Sequence, residues 1–121
     1  MDILICGRSR AGKTTFSQFF DDVIHLDDYP PLTRFDDVLD VVRETGPDVV
    51  IDGVYNKRER LALLEVLRAQ VKVCVFIDTP VEIIQSRHRL GRVERFTPPD
   101  TSEGWDAVIT ISIIEYKEVI K

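Results

Sequence analysis

Near the start of the chain, Gly7-Arg8-Ser9-Arg10-Ala11-Gly12-Lys13-Thr14 has the form Gly-x-x-x-x-Gly-Lys-Thr. Glycines at this spacing let consecutive backbone N–H groups curl around a phosphate. The lysine reaches the outer phosphate oxygens, and the threonine hydroxyl can hold Mg2+. Gly7, Arg10, Ala11, Gly12, Lys13, Thr14 and Thr15 are therefore assigned to the phosphates of ATP or another nucleoside triphosphate. A chance match in a chain of this length is expected in roughly a few cases per thousand, given glycine at about 7% of residues. An apolar run, Ile3-Leu4-Ile5-Cys6, precedes the loop, and a segment with Phe16, Phe19 and Phe20 at helical spacing follows it. Strand before and helix after is the context this pattern requires.

Carboxylates supply the other half of the chemistry. Asp52 ends the apolar run Val49-Val50-Ile51, which fits a Walker B acid holding Mg2+ directly or through water. Thr14 and Asp52 are the candidate metal ligands. Asp27 ends another short apolar run, Val23-Ile24-His25-Leu26, where it can accept a proton from an attacking hydroxyl. Asp28 next to it is a turn residue on the same reading, and position alone separates the two only weakly. Basic residues gather at Lys57, Arg58 and Arg60, and again at Arg87, Arg89, Arg92 and Arg95. Asp78 closes a further apolar run.

These residues need a scaffold, and the pattern predicts one. Strands are expected at 2–6, 23–26, 48–52, 71–77 and 107–111, alternating with helices. Thr33 is the expected cap of a helix bearing Phe35, Val38, Leu39 and Val42, ended by Gly46-Pro47. A second helix is expected from Lys57 to Gln70 with Leu61, Leu64 and Leu67 as its apolar ridge, and a third begins at the capping box Thr79-Pro80-Val81-Glu82. The three phenylalanines after the loop are expected in the core. Arg92 to Gly104 reads as irregular, either a cover over the phosphate site or a plain surface loop. The residues after the last strand close the chain as a short helix or strand extension. Alternating strands and helices imply an α/β domain spanning 1–121, a five-stranded parallel sheet sandwiched by helices, with ligands at the carboxyl ends of the strands. That edge would gather the phosphate loop, Asp27, Asp52 and Asp78.

Composition narrows the classes. The chain has 121 residues, 44% of them hydrophobic, and a net charge of −5, which argues against coating nucleic acid through a broad positive face. No run is long enough to cross a membrane and the first residues lack a basic leader, so the expected location is the cytoplasm. Cys6 and Cys74 lie in apolar runs with no metal-ligand spacing and are expected as reduced core residues. His25 is expected to be packed or hydrogen-bonded within its strand, and Trp105 to anchor its loop.

Taken together, the phosphate loop, Leu26-Asp27-Asp28-Tyr29, and Ile51-Asp52-Gly53 with Asn56 and Arg60 resemble the P-loop 5′-hydroxyl polynucleotide kinases of phages and repair enzymes. Asp78-Thr79-Pro80, Arg87, Arg92, Phe96-Thr97-Pro98-Pro99 and Glu103-Gly104-Trp105-Asp106 are similar to the tail of those domains. The resemblance implies a P-loop NTPase fold of kinase type with a small arginine-bearing lid. It further implies transfer of the γ-phosphate of ATP to the 5′-hydroxyl of a DNA or RNA end. Asp27 would be the general base, Lys13 and Thr14 would handle the donor phosphates and Mg2+, and Arg87 and Arg92 would steady the transferring group. The family often has an arginine just after its Asp-Asp-Tyr, where Pro30-Pro31 stands here. Arg34 is the candidate replacement as a substrate contact, beside Asp27 and Asp52. A nucleotide, nucleoside or other small-molecule kinase is the rival enzyme, and a non-catalytic nucleotide-binding regulator is the rival from another class. The choice between DNA and RNA, and assembly with further copies of the chain, stay open at this level.

Overall fold

The computed structural model describes residues 1–8, 11–26, 29, 34–87 and 96–112, with only the backbone of residues 14 and 85–87. The elements run β1 (Asp2–Cys6), α1 (Lys13–Ser17), β2 (Ile24–His25), α2 (Phe35–Thr45), β3 (Val50–Gly53), α3 (Lys57–Val66), β4 (Lys72–Asp78), α4 (Val81–Arg87) and β5 (Ala107–Ser112). The five strands form one parallel sheet in the order β2-β3-β1-β4-β5. β1 thus has β3 on one side and β4 on the other, the point in an open α/β sheet where a crevice forms at the strand ends.

Alternation along the strands divides the core. Leu4, Cys6, Ile51, Cys74 and Phe76 face α2 and α3 with Leu39, Val42 and Leu63. Ile5, Val73, Val75 and Ile77 face the other way, with Ala11, Phe16 and Ile84. The helices therefore cover both faces, α2 and α3 on one, α1 and α4 on the other. Burying each large aliphatic side chain contributes about 1.5–3 kcal/mol. Cys6 and Cys74 are free thiols, both buried, with their Sγ atoms 3.6 Å apart. The bond to Cys6 and burial push the Cys74 thiol far above the ordinary thiol range.

Asp2, fully buried, aligns the central strands. Its Oδ1 accepts the Val49 N–H at 3.0 Å and its Oδ2 the Ala69 N–H at 2.9 Å, fastening the chain ahead of β3 and β4 to the start of β1. A buried carboxylate is tolerable because amide donors replace its lost water.

Several local expectations change. Phe19 is 83% exposed, since α1 ends at Ser17 and the chain turns before that ring can reach the core; Phe16 and Phe20 do pack there. The residue flanking α2 is Arg34, which makes no side-chain cap bond, and Thr33 lies outside the described residues. α3 stops at Val66 and opens on an Asn56–Glu59 capping box. Its inward side carries Arg60, Leu63, Val66 and Leu67, whereas Leu61 is exposed. α4 starts at Val81, with the Pro80 carbonyl accepting from the Ile83 and Ile84 N–H groups. Asp48, expected in a strand, has φ +66° and precedes β3. The residues after Ser112 lie outside the described residues. No helix among the described residues is long and apolar enough to cross a membrane.

The largest side chain sealed from water is Arg60. Its Nε and Nη2 donate to the two carboxylate oxygens of Glu103 at 3.0 and 2.9 Å, and Nη1 donates to the Tyr55 carbonyl at 2.8 Å. Trp105 Nε1 adds a bond to Glu103 at 3.1 Å. Burial alone would lower the Arg60 pKa, but the bond and charge of Glu103 outweigh it and hold it above its ordinary value. Burial likewise pulls Glu103 upward, and the donors from Arg60 and Trp105 hold it below its ordinary 4.5.

Breaking one partner of such a pair strands a buried charge, so Arg60→Met is expected to cost about 3–5 kcal/mol in urea unfolding. The double variant Arg60→Met/Glu103→Leu should lose less. Because the Glu103 pKa is depressed on folding, its contribution is complete above the unfolded value and is lost as pH falls through the folded one. Urea midpoints of the native chain should therefore fall below about pH 4.5, and the double variant should show a shallower fall.

Candidate active site

The phosphate loop leaves β1 where backbones crowd together. A Cβ on Gly7 would lie 2.8 Å from the Ile77 carbonyl of β4, so a side chain there would push the two strands apart. Gly12 has φ +106°, a left-handed conformation that turns the loop into α1 and strains any other residue. Between them the Ala11 N–H closes a turn on the Arg8 carbonyl at 3.1 Å. The Thr79 hydroxyl at the end of β4 donates to the Ala11 carbonyl. Lys13 is 7% exposed and folds back across the loop, its Nζ donating to the Arg8 carbonyl at 2.6 Å. An ammonium held against a glycine-bounded turn between strand and helix suits a phosphate. Thr15 is exposed beside it.

Asp52 sits on the neighbouring strand, paired in register with Ile5 of β1 and His25 of β2. Its neighbour Ile51 points to the α2–α3 side, so alternation turns Asp52 to the side of α1. The carboxylate is 5% exposed, and its Oδ2 lies 3.1 Å from His25 Nδ1. Oδ1 has no hydrogen-bond partner among the described residues. A hard carboxylate oxygen beside the first turn of α1 fits Mg2+, which takes one or two protein oxygens and fills its shell with water and phosphate. His25 is a site residue that sequence reasoning left in the core: strand alternation puts it on Asp52's face, but only the β2–β3 register shows that they touch.

Arg8, the second residue of the loop, was assigned no role from sequence. Its guanidinium lies 5.8 Å from the centroid of the Phe96 ring, and Arg60 lies 5.6 Å from the same centroid. Phe96 in turn stacks on Phe76 at 5.4 Å. Arg8 Nε is buried with no hydrogen-bond partner among the described residues, a state that costs about 1–3 kcal/mol. A cation over an aromatic face returns about 0.5–2 kcal/mol.

Two cavities flank these groups. One of about 320 Å³ opens beside the loop and is lined by Gly12, Thr15, Phe16, Phe19, Ile77 and Ile111. Its apolar walls explain the position of Phe19, which is outside the core yet lines a recess. The other, about 370 Å³, lies between the first turns of α2 and α3, with Phe35, Asp36, Leu39, Asn56, Arg58 and Glu59 on its walls.

Of the sequence-assigned residues, Gly7, Ala11, Gly12, Lys13, Thr15 and Asp52 come together at the carboxyl ends of β1 and β3. Asp27, Arg10 and Arg92 lie outside the described residues, as do the side chains of Thr14 and Arg87. Arg34 is exposed and its Nη2 meets Asp36 at 3.4 Å. Asp78 ends β4 on the far side of β1 from Asp52. Replacing Lys13 with Ala removes the cation over the loop, and binding of a fluorescent ATP analogue should weaken about 10-fold or more. Phe19→Ala should weaken the same analogue by a smaller factor through the cavity it lines, without loss of thermal stability.

No family model and no curated protein matches the chain. Among solved structures, the unliganded crystal structure of a sugar kinase from Janibacter sp. HTCC2649 matches with a TM-score of 0.57 at 20% sequence identity. The match covers 92% of this chain and 84% of that one. A likeness at that identity speaks for the fold alone, an α/β architecture with a five-stranded all-parallel sheet between helices.

Proposed function

We propose that the chain is an ATP-dependent kinase that moves a γ-phosphoryl group to the 5′-hydroxyl of a DNA or RNA end. The observation that carries the kinase reading is the pairing of two halves at one sheet edge. A phosphate loop is held in shape with Lys13 over it, and the buried Asp52 carboxylate stands on the adjoining strand. The apolar cavity at Gly12, Thr15 and Phe19 has the character of a recess for the donor's base. An ATP-consuming enzyme with reduced thiols belongs in the cytoplasm.

In this reading the loop N–H groups and Lys13 bind the donor's phosphates and orient the γ-phosphorus. Thr14 and Asp52 would hold Mg2+, which when bound neutralises charge on the phosphate oxygens. Asp27 takes the proton of the acceptor hydroxyl as its oxygen bonds to the γ-phosphorus. The bond from that phosphorus to the bridging oxygen breaks on the opposite side, and ADP departs. Arg87 and Arg92 provide countercharge to the transferring group. His25 keeps the Asp52 carboxylate oriented.

A second reading keeps the transfer and changes the acceptor to a small polyol or nucleoside. The structural neighbour described as a sugar kinase and the net charge of −5 favour it.

An acceptor screen with labelled ATP and Mg2+ separates the readings. Label on 5′-hydroxyl oligonucleotides is the expected outcome, label on sugars or nucleosides alone selects the second reading, and label on none defeats both. Asp27→Asn is expected to lower turnover by about two to four orders of magnitude while ATP still binds. His25→Leu should lower turnover about 10- to 100-fold, as loss of a group supporting a metal ligand does. The Mg2+ concentration for half-maximal activity should rise in that variant, and His25→Asn should restore part of the loss.

A further inference from the structure

The cavity between α2 and α3 plays no part in the donor half of the proposed site. α3 opens just beyond the carboxyl end of β3, so this cavity stands at the same sheet edge as the phosphate loop. Its apolar residues belong to the α2–α3 side, Leu39 within that core and Phe35 and Ala62 packed against it. The recess beside the loop is lined instead by Ala11, Phe16, Ile77 and Ile111 of the α1 side. The two cavities therefore lie on opposite faces of the sheet, with the loop's edge between them. At about 370 Å³ the α2–α3 cavity has the size of a small-molecule pocket.

The lining tells what kind of molecule fits. Phe35, its ring centroid 6.2 Å from that of Tyr55, contributes an aromatic surface, and Leu39 and Ala62 contribute aliphatic wall. Sugar hydroxyls pressed against these groups would give up water without gaining a hydrogen bond. A phosphate would meet carboxylates on both walls, Asp36 on α2 and Glu59 on α3, against the single rim guanidinium of Arg58. A flat ring whose polar atoms are confined to its edge meets both conditions, since its faces stack on an aromatic side chain and its edge keeps its hydrogen bonds. That edge has partners here. The α3 capping box engages Asn56 Oδ1 and Glu59 Oε1, which fixes both side chains. The Asn56 amide nitrogen then serves as a donor and Glu59 Oε2 as an acceptor, on one helix turn. Arg58, exposed beside them, adds further donors. A nucleobase edge presents donor and acceptor atoms side by side in the complementary sense.

We propose that the cavity between the first turns of α2 and α3 is a nucleobase site, which holds the base of the acceptor and so selects a nucleoside or nucleic-acid end over a bare sugar. The word acceptor rests on the kinase reading, but the test is read by binding, without turnover. With the donor site filled by a non-hydrolysable ATP analogue and Mg2+, guanosine, cytidine and uridine are titrated by calorimetry beside methyl β-D-ribofuranoside, which has the sugar and no base. The native chain is expected to bind at least one nucleoside about 10-fold or more tighter than the riboside. Ala62→Phe fills the cavity and should shrink that preference to within about two-fold, while the ATP analogue binds within about two-fold of the native chain. Thermal unfolding verifies that the variant folds. If it does not, Arg58→Ala, at an exposed position of α3, becomes the deciding variant and should reduce the preference about three-fold or more. A native chain with no preference for the base overturns the proposal. So does a folded deciding variant that keeps the whole preference, or one that loses the ATP analogue to the same degree as the nucleoside. A chain that prefers nucleosides through this cavity yet transfers phosphate to no acceptor supports the nucleobase site and defeats the kinase reading. One that phosphorylates an acceptor but is indifferent to the base does the reverse.

Discussion

A guanidinium with no exposed surface, gripped by a carboxylate and a backbone carbonyl, holds the active edge of this protein together. Arg60 projects from α3 and Glu103 from the segment that leads into β5, 43 residues away in sequence. Neither charge could be buried alone, because the desolvation cost of one is met only by the presence of the other. The pair therefore adds a polar tie between two segments that also share the core cluster of Leu63, Val66 and Trp105. Phe96 and Trp105 are fastened with it, one stacked on Phe76 and the other bonded to Glu103. The platform beneath Arg8 is a product of that coupling.

The loop itself is restrained from both sides. Gly7 presses against the Ile77 backbone, and Thr79 of the same connection bonds to Ala11. Lys13 closes over the top by bonding to Arg8. For the proposed kinase such preorganisation would matter, because phosphoryl transfer offers little covalent work for a protein to do: positioning and charge placement carry most of the rate. Asp52 is prepared in the same sense, with His25 as its support.

Much of this was legible in the residues. Apolar runs before Gly7, at Val49–Ile51 and at Val71–Ile77 placed the strands, since fully covered parallel strands are apolar on both faces. The loop pattern marked Gly7 and Gly12 as a tight strand-to-helix turn because backbone geometry, more than side-chain context, sets its spacing. What escaped depends on contacts distant in sequence. Arg60 read as one of a basic cluster and as part of the family resemblance, and nothing local announces that Glu103 will meet it. Leu61 read as core from its spacing to Leu64, but one residue along a helix turns a side chain by about 100°, and it is Arg60 that faces inward. Phe19 read as core because its spacing is helical, but the helix ends before reaching it. His25 and Asp52 lie 27 residues apart and meet only through strand pairing.

The two thiols buried between β1 and β4 give the molecule a built-in clock. Sealed in the sheet, and with Cys74 held in its protonated form, they are inert to alkylating reagents while the strands stay together. Because Cys6 immediately precedes the phosphate loop, its labelling rate counts the openings of the strand from which that loop hangs. Occupancy of the loop and integrity of the sheet beneath it can thus be followed in one chemical trace, with no probe added to the chain.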